Sequence, residues 1–164
     1  SNMGFLDKLK SVKNMVTGGV AKVYLEVGDA KVDEPIPVRV KVQVDDADLK
    51  IDAVYIEVRG SEEIEIDGKT VERTIRNTIE DFTSDGRLNG IIEREETCDI
   101  RKVISEAQTL SANESYEFEG EIELPPGSMP TYRGRHCKHV YRFLAGLDAF
   151  GNDPDSGSQE VIVK

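Results

Sequence analysis

The 164-residue chain has no tryptophan, only two cysteines and two histidines, and just 6% aromatic residues. Cys98 and Cys137 alone cannot build the disulfide framework of a small secreted scaffold. Beyond His136 and His139 there is no further imidazole, and no Gly-x-Ser-x-Gly elbow, phosphate-cradling glycine loop or Cys-x-x-Cys pair occurs. The chain is therefore read as a non-enzyme, and nothing in it asks for a cofactor. Apolar runs fall far short of the ~20 residues that cross a bilayer as a helix. The first apolar residues are broken by Asp7, Lys8 and Lys10, so no secretory signal is legible and a cytoplasmic location is expected. Basic residues are scarce beside acidic ones, 21 against 32, and the net charge of −11 repels DNA, RNA and anionic lipid on average. No nucleic-acid partner is expected.

What the sequence does have is alternation. Residues 4–17 read differently from the rest, as a short amphipathic helix. Phe5, Leu9, Val12 and Val16 follow helical spacing, Lys8, Lys10 and Lys13 lie towards the other side, and Gly18-Gly19 ends the pattern. From residue 20 to 164 the period is two. Val23, Leu25 and Val27 alternate with polar neighbours, as do Val38, Val40, Val42 and Val44. Further strands are expected at Ile51 to Val58, Val71 to Phe82, Ile91 to Thr97, Tyr116 to Leu124, His139 to Leu147 and Val161 to Val163. Gly28-Asp29, Asp45-Asp46, Asp67-Gly68, Asp85-Gly86 and Pro125-Pro126-Gly127 supply reversals between them. About eight strands with no βαβ alternation predict an all-β, antiparallel β-sandwich in one domain, carrying a short N-terminal helix.

Two stretches carry a family resemblance. Phe5-Leu6-Asp7-Lys8-Leu9, running through Gly18-Gly19 into Ala21-Lys22-Val23, resembles the helix and first strand of the bacterial sporulation-control proteins of the arrestin-like superfamily. Leu124-Pro125-Pro126, then Pro130-Thr131-Tyr132-Arg133-Gly134 and the strand Val140 to Asp148, is similar to a phrase of arrestin-type N-terminal domains. The resemblance implies an immunoglobulin-like sandwich that serves as a protein-binding adaptor or regulatory module. Full arrestins have two such sandwiches, whereas this length suits one.

Four candidate sites follow. Arg133, Arg135, Lys138 and Arg142 lie in a stretch without an acid and form a candidate site for an anionic partner, since arginine's planar fork can hold two oxygens. The competing reading has these cations neutralising Glu-rich strands such as Glu117 to Glu123. Asp148, Asn152, Asp153 and Asp155, with Asp45, Asp46 and Asp48, could serve calcium or a carbohydrate, or could simply build turns. His136, Cys137 and His139 fall short of a zinc ligand set, and His139 shares a strand face with Cys137 while His136 faces away. The N-terminal helix could pack on the sandwich, join a second subunit in a homo-oligomer, or touch a membrane through its lysines.

Overall fold

The structure, a computed structural model, describes residues 20–82 and 88–164. The expected helix over 4–17 and the expected turn at Asp85-Gly86 lie outside the described residues. Strands β1 (Ala21–Val27) and β2 (Ile36–Val44) pair antiparallel, with Val23 opposite Val42 and Leu25 opposite Val40. Strand β6 (Ser115–Ile122) adds to the other side of β2, giving a three-stranded sheet. The valine alternation decides its inner face, because Val38, Val40, Val42 and Val44 are all buried while Pro37, Arg39 and Gln43 are wet.

The second sheet is built on two long strands, β3 (Leu49–Ile66) and β8 (Cys137–Ala149), paired antiparallel. The far side of β3 carries β5 (Gln108–Leu110) at one end and β4 (Ile91–Ser105) along the rest. The far side of β8 carries β7 (Tyr132–Arg133) and β9 (Gln159–Val161). Val54, Ile56 and Val58 of β3 and Phe143, Ala145 and Leu147 of β8 are buried against the three-stranded sheet. This is the antiparallel sandwich that the alternation predicts, with one hydrophobic core between two layers. No helix among the described residues is long and apolar enough to cross a membrane.

Two expectations need correction. The segment read as a strand at Val71 to Phe82 is instead a helix, α1 (Gly68–Thr78). Val71, Ile75 and Ile79 recur every fourth residue, which outweighs their β-branched chemistry. The expected Asp67-Gly68 turn is the helix start, where Asp67 accepts hydrogen bonds from the Thr70 amide at 2.8 Å and the Thr70 hydroxyl at 3.1 Å. Thr74 and Thr78 donate their hydroxyls to the carbonyls one turn back, and Arg76 pairs with Glu72 at 2.6 Å. None of the residues of α1 is buried. Second, β3 and β4 run well past the expected Val58 and Thr97 ends. Beyond Gly60 they continue as a paired ribbon, with β8 still paired to β3 as far as Cys137.

On the outer face of this sheet Tyr55 lies directly opposite Gly146. Its ring occupies the space where any side chain at 146 would go. Arg101 caps the ring at 3.8 Å from the centroid, and the Tyr55 hydroxyl donates to Asp153 at 2.8 Å. Gly146→Ala is therefore expected to cost about 1–3 kcal/mol, because the ring must leave its seat. Urea unfolding checks this, and an unchanged midpoint would contradict the packing described.

Candidate partner-binding groove

Side chains of β8 alternate between two environments. His139, Tyr141, Phe143, Ala145 and Leu147 point into the sandwich and are buried. Lys138 and Arg142 point to the outer face, where Glu63 of β3 stands opposite Lys138. The Glu63 carboxylate, 8% exposed, gathers three cations: Arg94 Nη2 at 2.6 Å, Lys138 Nζ at 3.1 Å and Arg142 Nη1 at 3.5 Å. The Ser61 hydroxyl also donates to it, at 3.3 Å. Burial alone would raise the Glu63 pKa. The hydrogen bond and charge of Lys138, then the charges of Arg94 and Arg142, outweigh that and hold the carboxyl below its usual value. A second carboxylate, Glu160 of β9, pairs with Arg133 and, at 3.7 Å, with Arg142.

A groove of ≈ 860 Å³ opens at the ribbon end of the sheet, lined by five cations and by the four carboxylates of Glu63, Glu65, Asp67 and Glu93. Arg133, Arg135 and Lys138 line one side, Arg94 comes from β4, and Arg73 comes from α1. Among the described residues no carboxylate pairs with exposed Arg135. Ile92, 77% exposed, adds apolar surface to the wall. The sequence-predicted cations thus divide. Lys138 and Arg142 meet at Glu63, Arg133 joins Arg142 through Glu160, and Arg135 reaches the groove alone. Sequence reasoning missed Glu63, Arg94 and Glu160. The strand parity that buries Val58 also puts Glu63 on the outer face with Glu57, but nothing local distinguishes it from Glu65 on the same face.

The Glu-rich strand expected as a counter-charge lies elsewhere. Glu117 and Glu119 of β6 pair with Lys41 at 3.7 Å and Arg39 at 2.9 Å, in the other sheet. The acidic loop after β8 uses its carboxylates as turn acceptors. Asp153 accepts from the Ala149 amide at 3.1 Å as well as from Tyr55, and Asp155 accepts from the Gly157 amide at 2.7 Å. Asp148 faces Arg101 at 3.5 Å, and Asp48 accepts from the Ala112 amide at 2.8 Å. Among the described residues no group of three or more His, Cys, Asp or Glu converges as metal ligands. Asn152 is exposed in the same loop.

Cys137 is exposed at the ribbon, opposite Ile64. His139 lies two residues on and is buried, with Nδ1 at 3.0 Å from the Pro130 carbonyl and Nε2 at 2.7 Å from the Thr97 hydroxyl. A carbonyl can only accept, so the proton sits on Nδ1 and both ring nitrogens are engaged away from the thiol. Cys98 is buried opposite Gly60, and burial pushes its thiol pKa up.

A three-stranded sheet faces a larger one built on two long antiparallel strands, a β-sandwich of arrestin-like fold. The chain is similar to the crystal structure of Spo0M, sporulation control protein, from Bacillus subtilis, with a TM-score of 0.56 and 18% sequence identity. The match covers 89% of this chain and 50% of that one, so this chain spans about half the length of the Bacillus protein. No protein-family model matches the chain, and no curated protein matches its sequence.

Two outcomes are expected. Glu63→Gln should lower stability at neutral pH by about 1–3 kcal/mol, less than the ~3–5 of a fully dry pair, because the guanidinium of Arg94 stays largely in water. A folded-state pKa below the ordinary glutamate value of 4.5 means that this contribution is complete above that value. It is lost as pH falls through the folded-state pKa, so the gap between wild type and variant should close in acid. A gap that persists in acid would mean that the charge of Glu63 is not what stabilises. Alkylation of the native protein, read by mass spectrometry, should modify Cys137 and spare Cys98 until denaturant is added. Equal labelling of both thiols would refute the burial of Cys98.

Proposed function

We propose that this chain is a non-enzymatic, protein-binding adaptor or regulatory module of the arrestin-like type, and that it takes an acidic or phosphorylated segment of a partner protein into the groove. The observation that carries this reading is the Glu63 cluster, where one buried carboxylate holds Arg94, Lys138 and Arg142. The cations are fixed before any partner arrives, so binding costs little side-chain entropy. Their surplus charge and the unshared guanidinium of Arg135 suit oxygen anions held by forked hydrogen bonds. The engagement of both His139 nitrogens, away from Cys137, favours binding over thiol chemistry. The role named for the Bacillus protein, sporulation control, is compatible with a regulatory module.

The test is fluorescence anisotropy with three labelled peptides: polyglutamate, a phosphoserine-containing version of it, and neutral polyglutamine. The acidic peptides should bind and polyglutamine should not. Arg133→Ala combined with Arg135→Ala should weaken binding at least ~10-fold, the scale of losing charge-assisted hydrogen bonds. Undiminished binding in the double variant, or equal binding of polyglutamine, would refute the groove as the site.

A further inference from the structure

We propose that the occupant of the groove is the Phe150 loop of a second copy of this chain, seated in a head-to-tail contact. This rests on the groove reading above and names the acidic segment that fills it.

Phe150 follows β8 directly and is fully exposed. A phenyl ring in open water is common enough, but this one is held there. The Asp153 carboxylate accepts from both the Ala149 amide and the Tyr55 hydroxyl, and the Leu147 amide donates to the Pro154 carbonyl at 2.9 Å. Gly151, with φ of 87°, makes the turn that leaves the ring at the tip. The loop is therefore a preorganised knob, which loses little entropy on docking. Aromatic anchors of this kind dominate the energetics of many interfaces.

The surroundings of the knob are acidic, from Asp148, Asp153 and Asp155. Arg101, the cation beside it, is already held between Glu57 at 3.7 Å and Asp148 at 3.5 Å. The groove has an excess of one cation over its four carboxylates, Glu63, Glu65, Asp67 and Glu93, and among the described residues the guanidinium of Arg135 is unshared there. It presents Arg73, Arg94, Arg133, Arg135 and Lys138, and it offers Ile92 as an apolar contact for the ring. Guanidinium faces also stack on phenyl rings.

A chain cannot place its own knob in its own groove. Cys137 lines the groove and Ala149 precedes Phe150, and the 13 residues of β8 run between them. At ~3.3 Å per residue that separation is about 40 Å. Two different surfaces at opposite ends of the molecule, joined head to tail, make a heterologous contact, which builds rings or filaments. The net charge of −11 opposes assembly, so association should be weak and concentration-dependent.

Sedimentation velocity of the full chain, from micromolar to near-millimolar concentration, provides the test. The average mass should rise above the 18.2 kDa monomer. Phe150→Ser, which removes no internal contact, and Arg135→Glu should each weaken association at least ~10-fold. An equimolar mixture of the two variants should form dimers and stop there, because one variant keeps an intact groove and the other an intact knob. A chain that stays monomeric throughout, a Phe150→Ser variant that associates like wild type, or a mixture that fails to pair would each overturn the contact. Polyglutamate binding by a chain that stays monomeric would overturn this contact alone and leave the groove as an acidic-segment site. Loss of both would remove the groove reading as well.

Discussion

The register of β3 against β8 fixes nearly everything else in this molecule. With Ile51 opposite Ala149 and Ile64 opposite Cys137, the ladder sets Val54, Ile56 and Val58 against Leu147, Ala145 and Phe143, and so defines half the core. The same register puts Tyr55 over Gly146 and Glu63 beside Lys138 on the opposite face. A slip of one residue would turn the core valines to water and bring the Glu63 side chain inward. Three independent fits resist that slip: the packed interior, an aromatic ring seated on a glycine, and a carboxylate caged by three cations.

The two ends of this ladder differ in how much of their chemistry is satisfied. Under the sandwich, the outer face of the small sheet balances its charges internally, with Lys41 at 3.0 Å from Glu26 and Arg39 at 2.9 Å from Glu119. Past Gly60 strand β4 is exposed from Ile91 to Thr97, while Ser61 and Glu63 of β3 stay buried. There Glu63 cannot neutralise all the cations around it. The hydrophobic core thus resides in the layered part, while exposed charge and exposed isoleucine collect at the ribbon end. A binding surface at that end can change its residues at small cost to the fold.

Strands with one dry face were legible from sequence. Val38 to Val44 and Tyr116 to Ile122 alternate because a core lies on one side, and that alternation survives in the burial pattern. Segments without a dry face were not legible. The ribbon of β3 and β4 and the exposed helix α1 carry β-branched and charged residues in runs that fit strand or helix alike. Only the four-residue spacing of Val71, Ile75 and Ile79 marked the helix. Strands β5 and β7 are too short to show a period. At the groove, Arg133, Lys138 and Arg142 were visible as a cluster without acids in sequence. Their counter-charges come from β3 and β9, at sequence distances that no local pattern spans.

The most direct measurement of the central claim is a set of backbone nuclear Overhauser contacts across β3 and β8 in solution. The expected result is close pairing of Tyr55 with Gly146 and of Glu63 with Lys138 in the same sample, placing the core and the groove on one continuous ladder. Contacts displaced by a residue, or a ladder that stops at Gly60, would contradict it.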